Sequence, residues 1–208
     1  MDEAKIFLVD DDAAIRDSLC LLLSAAGYQA RAFGSAQALF ETLRAEHPGC
    51  LILDLCMPGM DGLTLQQALK REGCFSPVIF ISGDGNIPAS VTAVRQGALD
   101  FLEKPFAAEI LLERVDEALA EHQRRRARAV EEERCRRQFG ALTRREREVM
   151  RLAIEGLTNK MIARELGISP RTVENHRARV MEKMQASNIA DLCQRAAACA
   201  DLIGEPVV

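Results

Sequence analysis

The sequence predicts an α/β domain with a doubly wound, five-stranded parallel sheet, followed by a long linker helix and an all-α domain of four helices. Three observations lead to this prediction. Short apolar segments alternate with helical patterns over residues 1–120, as in consecutive βα units. Residues 121–138 are polar all round a helix and contain no glycine or proline. Residues 140–208 hold four helical patterns separated by glycines or by a Ser-Pro pair.

The predicted strands of the first domain are short and strongly apolar. The segments Ile6–Val9 and Leu51–Leu53 are apolar without interruption, as expected for strands of a parallel sheet that is covered on both faces. We expect strands over residues 5–9, 28–33, 50–55, 77–82 and 98–102.

Amphipathic patterns fill the intervals between these strands. Ile15, Leu19, Leu22, Leu23 and Ala26 recur at the spacing of one helical face, so a helix is predicted after the first strand. Similar patterns predict helices over residues 35–45, 62–71, 86–96 and 106–121.

The segment 121–139 is expected to form a solvated linker helix that continues the preceding one. Glu121 and Arg125 form one of its favourable i,i+4 pairs, with the acid on the N-terminal side. A coiled coil is the weaker alternative, because the heptad that begins at Val115 soon meets His122 and Arg126.

The second domain, residues 140–208, is predicted to contain a helix-turn-helix. Its helices are expected over residues 143–155, 159–166, 170–184 and 188–202. Thr143 and Glu146 have the spacing of a capping box, and the Ser169-Pro170 pair suits a helix start. The second and third helices are separated only by the short turn at Gly167, as in DNA-binding helix-turn-helix motifs.

Composition and charge narrow the class of protein. Hydrophobic residues make up 48% of the chain and charged residues 28%, as in ordinary globular proteins. Apolar runs are too short to span a membrane and the acidic N-terminus does not resemble a secretory signal, so we expect a cytoplasmic protein without a membrane partner.

Residues 1–118 carry a net charge of −9, whereas residues 119–139 and 140–208 carry +3 and +2. This asymmetry favours a nucleic-acid-binding or regulatory protein.

Acidic side chains follow the predicted strands at the edge where a parallel sheet binds its ligands. Several carboxylates in one crevice repel each other unless a cation joins them, and Mg²⁺, for which Mn²⁺ can substitute, prefers such oxygen ligands. A lysine and a hydroxyl at the same edge can hold phosphoryl oxygens, so Asp54 is a candidate nucleophile for phosphoryl transfer. The predicted group is Asp10, Asp11, Asp12, Asp54, Ser82 and Lys104.

The residue types alone also allow other roles for these acidic side chains and other functions for the protein. Asp12 immediately precedes a predicted helix and suits a helix N-cap. A Mg²⁺-dependent aspartyl-phosphate hydrolase would need an acid two residues after the nucleophile, where this chain has Cys56. A regulator controlled by protein partners without phosphorylation is a further alternative. We also expect Asp84 to influence the lifetime of an acyl phosphate on Asp54.

The predicted third helix of the second domain is the candidate DNA-reading helix. Val173, Val180 and Met184 form its core stripe, and polar residues lie on either side. Asparagine can bind adenine and arginine can bind guanine in the major groove. The predicted DNA-binding residues are Lys160, Arg171, Thr172, Glu174, Asn175, Ala178, Arg179 and Lys183.

Four segments of the first domain, FLVDDD, LILDLCMPGMDG, VIFISG and LEKPF, resemble the signature of the two-component response-regulator receiver domain. The resemblance implies that Asp54 accepts phosphate from a sensor histidine kinase. It implies that Mg²⁺ binds to Asp10, Asp11, Asp54 and the backbone carbonyl of Cys56.

The resemblance also implies a switch beside the phosphorylated residue. Ser82 would hydrogen-bond the phosphoryl group, Lys104 would pair with it, and the Lys104-Pro105 peptide bond would be cis. Phe101 would turn inward as Ser82 moves.

The segment from Leu142 to Met184 resembles the LuxR-type DNA-binding domain, and the whole chain resembles the FixJ/NarL class of response regulators, closest to FixJ-like members. This resemblance implies a homodimer when phosphorylated, an inverted DNA repeat and possible recruitment of RNA polymerase. Arg171, Thr172 and Lys183 would mainly contact phosphates. Glu174, Asn175 and Ala178 would face base edges, where Glu174 would either bind a cytosine amine or repel non-specific DNA.

Overall fold

A computed structural model of the protein describes residues 5–43, 46–83 and 87–197. It divides into two compact units, Met1–Arg125 and Arg126–Val208. Asp84 and the ends of the helices predicted over 35–45, 86–96 and 188–202 lie outside the described residues. No described helix is long and apolar enough to cross a membrane.

The first unit contains a five-stranded sheet in the order β2-β1-β3-β4-β5, and all four strand pairs are parallel. This confirms the predicted doubly wound sheet. The carboxyl ends of β1, β3 and β4 lie in register, since Val9 pairs with Leu53 and Asp54 pairs with Ile81. The strands are β1 (Ile6–Val9), β2 (Ala30–Phe33), β3 (Cys50–Asp54), β4 (Val78–Ser82) and β5 (Asp100–Glu103).

Helices cover both faces of this sheet. One face forms an apolar cluster that includes Phe7, Leu53 and Phe80 together with Leu65 of α3. The other face contributes Ile52 and its neighbours to a second cluster with α1 and α5. The helices of the first unit are α1 (Ala13–Ala25), α2 (Ala36–Leu43), α3 (Gly62–Arg71), α4 (Ile87–Arg95) and the beginning of α5 (Ala108–Gly140).

The predicted linker belongs to one helix, because α5 continues from Ala108 to Gly140 without a break. The expectation that residues 121–138 are polar and solvated all round is wrong at Cys135, and the burial continues to Phe139, just beyond them. Cys135 and Phe139 are buried and pack with Leu142, Met150 and other residues of the second unit. Cys135 and Phe139 lie one helical turn apart, but the seven arginines of residues 121–139 made this segment look solvent-exposed in the sequence.

The second unit ends in four helices, α6 (Arg144–Ile154), α7 (Asn159–Leu166), α8 (Pro170–Lys183) and α9 (Ile189–Ala197). The capping box of Thr143 and Glu146 is present, and Ser169 caps α8 with Pro170 in its first turn. Gly167 ends α7 in the left-handed conformation, at φ 63°, which a residue with a side chain adopts only at a cost. These signals confirm the helix-turn-helix.

Candidate functional site

The carboxyl ends of β1 and β3 bring two buried carboxylates to one lysine. Asp10 is 1% exposed and Asp54 is 5% exposed. Lys104, in the loop after β5, places its Nζ atom 2.8 Å from Asp10 Oδ2 and 3.0 Å from Asp54 Oδ1. The structure thus brings Asp10, Asp54 and Lys104 together, as expected from the sequence.

The loop after β1 is held in place by backbone and side-chain hydrogen bonds. The backbone N–H of Asp12 donates to Asp10 Oδ1 at 2.9 Å. The Asp12 side chain accepts from the first N–H groups of α1, which confirms its role as an N-cap. The guanidinium of Arg16 donates to the carbonyl oxygens of Asp10 and Asp11, at 2.8 and 2.9 Å. Arg16 lies one turn inside α1, and nothing in its sequence position indicated this contact.

The position of Asp54 depends on the close approach of α3. The backbone N–H of Gly62, the first residue of α3, donates to the carbonyl of Leu55 at 2.9 Å. A Cβ atom on Gly62 would press against the carbonyl oxygen of Asp54 and would lie 2.9 Å from the ring of Phe80. The backbone N–H of Cys56 donates to Asp54 Oδ2 at 3.2 Å. Only glycine fits at the point where α3 meets the end of β3.

The charges of this site influence each other. Burial raises the pKa of Asp54, and the carboxylate of Asp10 adds to the effect, although Lys104 and the N–H of Cys56 oppose it. Burial alone would lower the pKa of Lys104, but its hydrogen bonds to Asp10 and Asp54 outweigh burial, and the pKa is raised. Lys104 is therefore a protonated cation that partly neutralises two carboxylates.

Three carboxylates at this edge are close enough to hold a metal ion. Oxygen atoms of Asp10, Asp11 and Asp54 all lie within 4.8 Å of one another, and Asp11 is exposed whereas the other two are buried. Oxygen ligands that leave one side open to solvent suit Mg²⁺, which retains several waters. The donor set therefore fits the predicted ion.

The residues of the predicted switch lie on β4 and β5 and in the loop after β5: Ser82 ends β4, Phe101 is the second residue of β5, and Pro105 follows β5. Ser82 is fully buried, and its carbonyl accepts from the backbone N–H of Lys104 at 2.7 Å. The Lys104-Pro105 peptide bond is cis. Phe101 is half-buried and packs against the apolar cluster of its face of the sheet.

The second unit presents most of the predicted DNA-binding residues to solvent along one helix. Its core side is formed by Val173 and Val180, which are buried. Thr172 is half-buried, and its Oγ1 lies 2.7 Å from Ser169 Oγ. The exposed members of the predicted set are Lys160 on α7 and Arg171, Glu174, Asn175, Ala178 and Arg179 on α8.

Lys183 has a different environment from the other predicted DNA-binding residues. Its Nζ lies 2.7 Å from Glu146 Oε2 and 3.1 Å from the carbonyl of Ala141. Glu146 is 1% exposed and also accepts from the backbone N–H of Thr143 at 2.8 Å. The ammonium of Lys183 thus pairs with a buried carboxylate of its own domain. The prediction that Lys183 contacts a DNA phosphate did not take this partner into account.

Two contacts that orient the helix-turn-helix were not found from the sequence. Arg177 of α8 donates to Asn159 Oδ1 of α7 at 3.0 Å. Arg145 of α6 donates to Glu148 Oε2 at 2.6 Å and to the carbonyl of Leu166, which ends α7, at 2.5 Å. The arginines were visible in the sequence, but nothing in their spacing indicated partners on other helices.

Comparison with family models assigns both units. Residues 6–116 match the response regulator receiver domain, and residues 140–196 match the luxR family of bacterial regulatory proteins. The chain belongs to the response regulators. It joins a receiver to a LuxR-type DNA-binding domain, and this combination makes it a transcriptional regulator controlled by phosphorylation.

Relatives of similar length share both domains of this response regulator. The transcriptional regulatory protein FixJ of Bradyrhizobium diazoefficiens is 42% identical over 192 residues, which is 92% of this chain and 93% of FixJ. The C4-dicarboxylate transport transcriptional regulatory protein DctR of Rhodobacter capsulatus is 42% identical over 191 residues, which is 91% of this chain and 97% of DctR.

Solved structures give the same assignment. The response regulator StyR has a TM-score of 0.80 and 38% identity, with coverage of 93% of this chain and 98% of StyR. Full-length FixJ from B. japonicum has a TM-score of 0.60 and 38% identity, with coverage of 97% and 99%. These comparisons confirm the FixJ-like response regulator that the motifs predicted.

Proposed function

We propose that a sensor histidine kinase phosphorylates this response regulator on Asp54 and that the phosphoryl group strengthens its dimerisation and its binding to DNA. The observation that supports Asp54 most strongly is its contact with Lys104 beside Asp10 and Asp11, at the carboxyl edge of the sheet. Asp54 is the carboxylate of this group that lies at the end of a central strand, where a phosphoryl donor can approach from outside the sheet.

The transfer step needs only a carboxylate, a donor and charge neutralisation. An oxygen of Asp54 attacks the phosphorus of a phosphohistidine, the P–N bond breaks, and the histidine nitrogen keeps the electron pair and is then protonated. Lys104 neutralises charge on the phosphoryl oxygens, and the Ser82 hydroxyl donates to one of them. Later attack of water on the same phosphorus returns the Asp54 carboxylate and inorganic phosphate. The protein promotes only these two reactions of its own side chain.

Asp10, Asp11, Asp54 and the backbone carbonyl of Cys56 would hold Mg²⁺, or Mn²⁺ in its place. When bound, the ion supplies positive charge that offsets the negative charge of the phosphoryl group and of the carboxylates. The oxygen atoms within 4.8 Å of one another support this set of carboxylate ligands.

Phosphorylation replaces the single negative charge of the Asp54 carboxylate with a phosphoryl group of about −1.5 to −2, and it brings three strong hydrogen-bond acceptors to a site whose carboxylates are already crowded. We infer that Ser82 and Phe101 respond together, because they lie on neighbouring paired strands: Ser82 pairs with Glu103, and Phe101 pairs with Phe80, two residues before Ser82. A changed surface on the last elements of the receiver would then form the homodimer. In the cytoplasm, the dimer would bind an inverted DNA repeat through two α8 helices, and RNA polymerase is a further possible partner.

The DNA contacts divide by position on α8. Arg171 and Thr172 lie in its first turn, beside a helix N-terminus that favours phosphate. Glu174, Asn175 and Ala178 share one exposed face and would meet base edges, with Arg179 and Lys160 adding phosphate contacts. Lys183 contributes to this function by stabilising the domain through Glu146, and we no longer assign it a phosphate.

Chemical trapping tests the phosphorylated residue directly. Borohydride reduces an aspartyl phosphate to homoserine, which marks the position in a peptide mass spectrum. After incubation with acetyl phosphate and Mg²⁺, we expect homoserine at position 54 and none in Asp54→Asn. Asp12→Asn is the matched control, because asparagine is also a good N-cap, and it should be trapped like the wild type. Homoserine at another aspartate would overturn the assignment.

A further inference from the structure

A polar side chain occupies a core position of α3, far from the carboxyl edge of the sheet. The buried residues of α3 are Gly62, Leu65, Gln66 and Leu69, which follow the i, i+3, i+4, i+7 pattern of a core-facing stripe. Gln66 is the polar member of this stripe and is 1% exposed. Its position on the helix is one that normally holds an apolar side chain.

The amide of Gln66 is unpaired. Neither its Nε2 nor its Oε1 atom has a hydrogen-bond partner among the described residues, although both atoms are buried. Buried polar groups are nearly always paired, because desolvation without a hydrogen bond is costly. A buried side-chain amide with neither partner can pair with a molecule that offers both a hydrogen-bond donor and an acceptor.

Gln66 lines a cavity of about 320 Å³. The cavity lies under the N-terminal ends of β3 and β4, since its walls include Leu51 and Val78, the residues that begin the pairing of these strands. Asp54 and Ser82 end the same strands, so the cavity and the phosphorylation site occupy opposite edges of the sheet. Phe75, at the wall of the cavity, is 67% exposed, so an apolar ring borders it on the solvent side.

The other polar side chains of the wall already have partners within the first unit. Ser76 donates to the carbonyl of Pro48 at 2.6 Å, Arg125 donates to the carbonyl of Phe75 at 3.1 Å, and Lys70 donates to the carbonyl of Gln96. Gln66 is therefore the polar side chain of the wall whose donor and acceptor both lack a partner among the described residues.

The geometry points to a binding site for a small uncharged molecule that presents a primary carboxamide or a lactam on an apolar body. In such a group an N–H and a C=O lie side by side, so it can donate to Gln66 Oε1 while accepting from Gln66 Nε2. The apolar walls formed by Leu51, Leu69 and Val78 suit the remainder of the molecule. This site goes beyond the phosphorylation switch and does not depend on it.

Benzamide is a suitable probe, because it combines a primary amide with an apolar ring. In a titration of the ¹⁵N-labelled full-length protein, the side-chain NH₂ signals of Gln66, identified by their loss in Gln66→Met, should shift with saturation. N,N-dimethylbenzamide, which has no N–H, and benzoate, which is charged, should each bind at least tenfold more weakly than benzamide. The affinities for the three probes are compared on the wild-type protein, and Gln66→Met serves only to assign the signals.

Variants test whether the amide is responsible. Gln66→Met keeps the length of the side chain and removes both unpaired polar atoms, so it should fold and should bind benzamide at least tenfold more weakly, or about 1.4 kcal/mol. Gln67→Met is the matched control, because the neighbouring Gln67 is exposed, and it should bind like the wild type. Unshifted Gln66 signals at saturating benzamide would mean that water alone fills the site. That result, equal binding by Gln66→Met, or tighter binding of benzoate would overturn the proposal.

Discussion

The ammonium of Lys183 lies 2.7 Å from a carboxylate oxygen of Glu146 and joins the end of α8 to the start of α6. Glu146 is almost fully buried, whereas the Lys183 side chain is 34% exposed. A partly exposed cation thus stabilises a buried anion. This pair anchors the C-terminal end of α8, the helix proposed to read DNA.

Removing Lys183 should therefore affect stability more than DNA recognition. We expect Lys183→Met to lower the free energy of unfolding of the second unit by about 1–3 kcal/mol, because Glu146 would keep its charge in a buried position without this partner. Thermal unfolding followed by circular dichroism measures the loss.

Arg179→Met is the control for this prediction, since Arg179 is exposed on the same helix. It should leave the free energy of unfolding nearly unchanged. The number of phosphate contacts, obtained from the salt dependence of DNA affinity, should fall by about one. A Lys183→Met protein with wild-type stability and a reduced salt dependence would restore the phosphate contact first predicted for Lys183.

The same pair makes stability depend on pH. Burial alone would raise the pKa of Glu146, but hydrogen bonds from Lys183 and Thr143 outweigh burial and lower the pKa to about 2. The folded pKa is below the unfolded value of about 4.3. The stabilisation is therefore fully present above the unfolded pKa and is lost as pH falls towards 2.

Comparison of wild type with Glu146→Gln checks this dependence. The difference in their unfolding temperatures should be constant near neutral pH and should shrink between pH 5 and pH 2. A difference that stays constant over that interval would show that the ionisation of Glu146 does not stabilise the fold.

Gly62 sets how closely α3 approaches Asp54, the proposed phosphorylation site. A side chain at position 62 would press on the carbonyl of Asp54 and on the ring of Phe80. Gly62→Ala should lower the stability of the receiver by about 1–3 kcal/mol and slow phosphorylation of Asp54. Gly34→Ala, whose new methyl group would meet only the flexible Arg16 side chain at 3.4 Å, is the control for both measurements. If Gly34→Ala lowered stability and slowed phosphorylation as much as Gly62→Ala, the close approach at Gly62 would not explain the effects.

Removing one carboxylate should weaken metal binding at the proposed site of Asp10, Asp11 and Asp54. Mn²⁺ broadens NMR signals of nearby amides, so a titration reports where the ion binds and how tightly. We expect broadening around Asp10 and Asp54 in the wild type, its reversal by a chelator, and at least tenfold weaker binding in Asp10→Asn. Asp12→Asn should bind Mn²⁺ like the wild type, because the Asp12 side chain caps α1. Unchanged affinity in Asp10→Asn would exclude Asp10 from the metal site.

The sequence was sufficient to predict features that follow from local rules. Asp10 and Asp54 end apolar strands, and parallel strands bring their carboxyl ends to one edge, so their meeting could be expected without knowledge of packing. The caps of α1, α6 and α8 depend on a few adjacent residues and were predicted in the same way.

Features that depend on packing between distant elements could not be predicted. The partner of Lys183 is 37 residues away in the sequence, on another helix. Glycine is needed at position 62 because α3 lies very close to the end of β3, and this distance cannot be read from the spacing of residues in the sequence. The burial of Cys135 and Phe139 depends on which helices pack beside the end of α5, and their arginine-rich surroundings indicated solvent.

The central claim is that phosphorylation of Asp54 controls DNA binding. The most direct test measures DNA affinity and oligomeric state of the full-length protein with and without acetyl phosphate and Mg²⁺, with Asp54→Asn treated in parallel. We predict tighter DNA binding together with dimerisation in the phosphorylated wild type and no response in Asp54→Asn. Unchanged affinity and unchanged mass in wild-type protein whose phosphorylation has been confirmed would contradict the account.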